Sequence, residues 1–125
     1  MRSAFSLVEL LVVIAVIAVI ASIAVPNIAN IVNGANSSRD RRNAQSLAQI
    51  SSAARAAGHP GWATKTEAIS ALSDGVILTN PVDHSVVFQF HVDALTEENK
   101  ANAAAYLSSD GASLIYVPAG GQPTN

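Results

Sequence analysis

The chain has no cysteine. That excludes a disulfide framework and any thiolate metal site, so a small folded head must hold together by packing alone. Aromatic residues make up only 5% of the 125 positions. So little ring area argues for alanine-rich helix over a large aromatic core. Strong charge of either sign is missing as well: the net charge of −2 selects no partner by itself. No glycine-rich phosphate loop and no nucleophile elbow are present. The length fits one small domain and not two.

What the chain does have is unevenly spread. Residues 10–25, LLVVIAVIAVIASIAV, contain a single polar side chain, Ser22. At about 1.5 Å per helical residue, the roughly 19 residues from Leu7 to Val25 nearly span a hydrocarbon core of about 30 Å. Three readings compete for this segment: a secretory signal cut near Ala24, a permanent single-pass anchor, or a signal whose apolar run is kept after a short leader is clipped. A secretory signal needs only about 7–15 apolar residues, and this run is longer. It also carries a carboxylate, Glu9, inside its leading end.

A charge deep in a bilayer costs about 2.5–3.5 kcal/mol on insertion scales, and less near a helix end. A plain anchor lets Glu9 reach the interface. Cleavage between Ala4 and Phe5 gives it a partner instead, because the new Phe5 α-amine stands at i−4 on the same helical face. Packed side by side, such helices let Glu9 of one copy meet the Phe5 amine of the next, which fixes the axial register.

The charges beyond the span segregate. Arg39, Arg41 and Arg42 surround Asp40. They suit lipid phosphates, the acidic heads of neighbouring copies, or simply a solvated helix face. From Asn43 onward the cations are Arg55, Lys65 and Lys100, against Glu67, Asp74, Asp83, Asp93, Glu97, Glu98 and Asp110. The head is therefore mildly acidic, which argues against nucleic acid as a partner. Counting Lys and Arg near the span ends puts the C-terminal part on the cytoplasmic side.

Pro26 predicts a kink, with the helix resuming at Asn27. Leu47, Ile50, Ala54 and Ala57 share a helical face, so one long helix interrupted near Pro26 and Asn33-Gly34 is expected from about Phe5 to Ala57. Gly58-His59-Pro60-Gly61 stops it. Thr64-Lys65-Thr66-Glu67 reads as a capping box opening a short helix to about Leu72. Strands are expected at Val76–Thr79, at Val86–Val92 and at Ser113–Val117, with a third helix at Glu97–Leu107 and a turn at Ser108–Gly111. Phe88, Phe90 and Val92 share a strand face, and Trp62 reads as a lid over a small core.

The three histidines, His59, His84 and His91, show no i, i+4 metal spacing and read as ordinary surface residues. Asp83, Asp93, Glu97, Glu98 and Asp110 are the oxygen donors open to calcium, but no EF-hand-type loop frames them. No catalytic residue, metal or cofactor is expected, and no enzyme activity.

Ala4-Phe5-Ser6-Leu7-Val8-Glu9-Leu10, the apolar run and Pro26 together resemble the processing motif of type IV pilins and pseudopilins. Ala4 stands where that family usually has glycine. The resemblance implies a leader, residues 1–4, cut by a prepilin peptidase before Phe5, with N-methylation of Phe5. It implies assembly through Phe5, Glu9 and Pro26 into a homo-oligomeric helical filament such as a type II secretion pseudopilus. The partners would then be the inner-membrane assembly platform with its ATPase, and lipid before assembly. The head would lie in the periplasm, opposite to the charge count, on a chain held once in the bacterial inner membrane. The fold expected is α+β. A long N-terminal helix has a transmembrane half (5–26) and an amphipathic half (27–57). It packs on a minimal head (58–117) with short helices and a two- to three-stranded antiparallel sheet, and a loose tail follows (118–125). The rival to filament assembly is a non-assembling, membrane-anchored binding domain.

Overall fold

The computed structural model describes residues 5–80, 82–93 and 95–118. The expected leader, including Ala4, and the tail from residue 119 lie outside the described residues. The layout is α+β, as expected. It contains α1 (Leu7–Ala56), α2 (Lys65–Asp74), β1 (Val76–Thr79), β2 (Val86–Phe90), α3 (Glu97–Ala104), β3 (Leu107–Ser109) and β4 (Leu114–Tyr116). The chain divides into two compact units at residues 37 and 38.

The first unit is the apolar part of α1. Its large side chains from Leu7 to Val32 are all exposed. By length and composition the helix can cross a membrane. Pro26 stands inside the helix and does not end it. Side-chain bonds brace the turns around it: Ser22 Oγ donates to the Val19 carbonyl at 2.8 Å, and Asn27 Nδ2 donates to that of Ile23 at 3.4 Å.

The second unit is the head together with the end of α1. Ala44, Leu47, Ala48, Ser51 and Ala54 are the buried residues of α1. Their spacing of three and four puts them on one stripe. Against it pack Trp62, Ile69, Leu72, Leu107 and Leu114. The expected lid, Trp62, is 5% exposed and stacks on His59 at 4.3 Å.

Local chemistry explains the element ends. The His59 amide donates to the Ala54 carbonyl and the Gly58 amide to that of Arg55, with Gly58 at φ 104°. This pair of bonds around a left-handed glycine is a Schellman motif. Thr64 Oγ1 accepts from the Glu67 amide, while the Glu67 carboxylate accepts from the amide of Ala63, one residue outside the usual box. Thr96 caps α3 through the Asn99 amide.

The third helix is shorter than its sequence suggests. It stops at Ala104, and Leu107–Ser109 leaves to pair with β4, Leu107 against Tyr116. Lys65 Nζ takes the released carbonyls of Ala104 and Leu107 at 3.0 and 3.2 Å. Burying Leu107 beside Leu114 outweighs another helical turn that would point it to solvent. The strands consequently form two antiparallel pairs, β1–β2 and β3–β4, instead of one sheet.

Ser51 is the polar group inside this packing, with no exposed surface. Its hydroxyl donates to the Ala48 carbonyl at 2.9 Å and accepts from the Leu114 amide at 2.9 Å, tying α1 to β4. Ser51→Ala leaves that amide without its partner in a buried place, so a loss of about 1–3 kcal/mol is expected. Denaturant unfolding of the full chain measures it, and a change under a few tenths would show that the amide finds another acceptor.

Candidate functional site

The residues of chemical interest in the first unit gather at the start of α1. Ser6 and Glu9 bond reciprocally: the Glu9 carboxylate accepts from the Ser6 amide at 2.8 Å, and Ser6 Oγ accepts from the Glu9 amide at 3.2 Å. This is a capping box, which satisfies two amides that a helix start leaves without partners. Ser-x-x-Glu directly ahead of an apolar run is its sequence signal. Reading Glu9 only toward the Phe5 amine overlooked Ser6.

The bond engages one carboxylate oxygen, Oε2. An ionised carboxylate offers about four lone-pair sites, so capacity remains for an ammonium group. Phe5 is 87% exposed, and it lines a common hollow with Ser6, Glu9, Leu10 and Val13. The i, i+4 relation of Phe5 and Glu9 is thus a shared surface. The positive end of the helix dipole also favours an anion here. The third assembly candidate, Pro26, lies in mid-helix, well away from this hollow.

In the second unit the three arginines do different things. Arg41 lies over the Tyr106 ring, 5.7 Å from its centroid. A cation over a ring contributes about 0.5–1 kcal/mol at an exposed site, so Arg41 serves its own head. Arg39 and Arg42 are exposed, and neither has an ion pair among the described residues. Tyr106 is the partner that sequence spacing could not reveal, because the contact joins α1 to the α3–β3 connection.

The histidines sit in structural roles. His59 Nδ1 accepts from the Gly61 amide at 3.0 Å. His84 has φ 59° in the β1–β2 turn. His91 Nδ1 meets Asp93 Oδ1 at 2.9 Å, and its Nε2 lies 2.9 Å from the Ser73 carbonyl. The acidic residues are dispersed. Asp83 accepts from the Ser85 hydroxyl and amide, and these bonds hold its carboxyl below the usual carboxylate range. Asp110 is lowered by the Ser113 and Ala112 amides of the β3–β4 turn. Glu97 pairs with Lys100 at 2.8 Å. Among the described residues no three His, Asp or Glu side chains gather in a metal-holding group.

The arrangement at the start of α1 is a charged, capped helix end on an apolar rod. Residues 1–25 match the prokaryotic N-terminal methylation motif, the signature of type IV pilins and pseudopilins. No curated protein and no solved structure matches the chain.

Proposed function

We propose that this chain, which carries the motif of a processed, pilin-like precursor, is a structural subunit of a type IV pilus-like filament or type II secretion pseudopilus. A prepilin peptidase cuts between Ala4 and Phe5, and Phe5 is N-methylated. The helix waits in the inner membrane with the head in the periplasm. An assembly platform and its ATPase then extract it into the filament.

The observation that carries this reading is the geometry at Glu9. The carboxylate is held at the helix start by Ser6, beside Phe5, with an oxygen to spare. A new ammonium on Phe5 of a neighbouring copy completes it. Pairing removes the cost of an uncompensated charge in an apolar bundle and sets the offset between helices that otherwise slide. The exposed apolar side chains of α1 supply the non-directional part of the association.

One observation favours the rival reading of a non-assembling anchored domain. The capping box already gives Glu9 a role in a lone helix. Mass spectrometry of the mature N-terminus separates the two. Assembly requires a chain beginning at N-methylated Phe5. A chain beginning at Met1 supports the plain anchor, and one beginning near Val25 supports a secreted product; either result overturns the proposal.

A further inference from the structure

The apolar surface of α1 does not stop at Pro26. Beyond it the sequence reads Asn27-Ile28-Ala29-Asn30-Ile31-Val32-Asn33, and α1 continues through all of these residues. At about 100° per residue, Val25, Ile28, Ile31 and Val32 fall within one arc of about 120°. Asn27, Asn30 and Asn33 fall within a separate arc on the other side. These two turns are therefore amphipathic. Ile28 is 58% exposed, Ile31 71% and Val32 49%. The buried residues of α1 begin only at Ala44, so no core takes up the isoleucine face.

What covers this face follows from continuity. It joins the exposed apolar rod that begins at Leu7, and no charged residue stands between Glu9 and Arg39. Leu7 to Val25 rises about 27 Å, just short of a hydrocarbon core of about 30 Å. The next two turns, to Val32, rise about 10 Å more, through the depth where acyl chains give way to headgroups. At that depth a tilted helix holds one face lower than the other, and transmembrane helices tilt by about 20° on average. Leaning toward the isoleucines buries their apolar area and leaves the asparagine amides in water. Leaning the other way does the reverse.

We infer that Ile28, Ile31 and Val32 form a one-sided lipid-facing collar, which carries the membrane contact of α1 past Pro26 and sets the direction in which the helix leans. The occupant of this face is lipid. The attraction is apolar, so it needs no anionic headgroup, unlike a contact of arginine with lipid phosphate. The inference rests on the reading of α1 as a membrane-held helix, and its failure can be told apart from failure of that reading.

The chain has no cysteine, so a nitroxide on one introduced cysteine reports one position. Ile28→Cys, Ile31→Cys, Val32→Cys, Asn27→Cys, Asn30→Cys and Asn33→Cys are made singly in the full chain and reconstituted, dilute, in zwitterionic phosphatidylcholine vesicles. Ile17→Cys marks the middle of the rod. Collisions with oxygen, which concentrates in hydrocarbon, are compared with collisions with a polar nickel chelate, which stays in water. The oxygen-to-nickel ratio is expected to be at least about threefold higher at Ile28, Ile31 and Val32 than at the three asparagine positions, with Ile17 highest. Nickel-dominated collisions at all six, with Ile17 still in oxygen, mean that the lipid contact ends at Pro26 and overturn the inference alone. Oxygen-dominated collisions at all six overturn the one-sided collar. Low collisions with both reagents at Ile28, Ile31 and Val32 mean that a second copy covers them, which overturns lipid as the occupant. Nickel-dominated collisions at Ile17 as well overturn the membrane reading itself.

Discussion

Glu9→Gln is expected to abolish filament assembly while membrane insertion and cleavage proceed. The substitution keeps an amide oxygen that can accept from the Ser6 backbone, as the carboxylate does at 2.8 Å. It removes only the charge. Left without its anion, each Phe5 ammonium in the apolar bundle is an unpaired buried charge, a loss of about 3–5 kcal/mol per subunit. At about 1.4 kcal/mol per tenfold, filament yield should fall at least about a hundredfold. Sheared-filament assays read the yield, and membrane fractionation reads insertion. Ser6→Ala is the complementary variant. It removes the hydroxyl that caps the Glu9 amide, which costs about 0.5–2 kcal/mol of helix-end stability, and filaments should persist. If Ser6→Ala proves as damaging as Glu9→Gln, Glu9 acts as a cap and not as the register charge. Wild-type filament yield from Glu9→Gln would remove the register idea altogether.

Leu47→Ala should have the largest effect on the head. Leu47 is fully buried at the centre of the α1 stripe. Emptying such a site costs about 2–5 kcal/mol, depending on how far the neighbours collapse. A unit of roughly 90 residues has only about 4–13 kcal/mol to lose. The expected fall in melting temperature is therefore about 10–30 °C. Near-ultraviolet dichroism of Trp62 in the detergent-solubilised full chain follows it, since this ring belongs to the same core. Gln45→Ala, on the exposed side of the same helix, is the control, with a change under about 0.5 kcal/mol. A Leu47→Ala melt within a few degrees of wild type would mean that the head is held mainly by its hairpins and not by α1.

Sequence reasoning worked best where one local rule decides the outcome. Thr64, Thr96 and Gly58 act as sequence chemistry requires because a cap needs only the next few residues. It worked less well where two local rules competed. Tyr106 and Leu107 follow an alanine-rich helix and read as its continuation. The turn at Tyr106 and the strand from Leu107 come from the Leu107 side chain reaching the core and from the Lys65 ammonium donating to the carbonyls of Ala104 and Leu107. That ammonium lies 39 positions before Ala104 and 42 before Leu107, beyond any local window. Arg41 was legible as a cation but not as the partner of Tyr106, for the same reason. Val86 shows a third kind of limit. Simple alternation assigns it the face of Phe88, and the extra residue Val87 reverses the assignment.

The sequence by itself determined the apolar rod, the carboxylate at its start, the cap residues and the absence of any thiol chemistry. These depend on composition and on neighbours within a turn or two. Only the tertiary structure decided that Glu9 is shared with Ser6, that the strands form two pairs, and that Arg41 lies on Tyr106. Each of those depends on which distant groups meet, and the energy of a contact is not defined until both partners are in place.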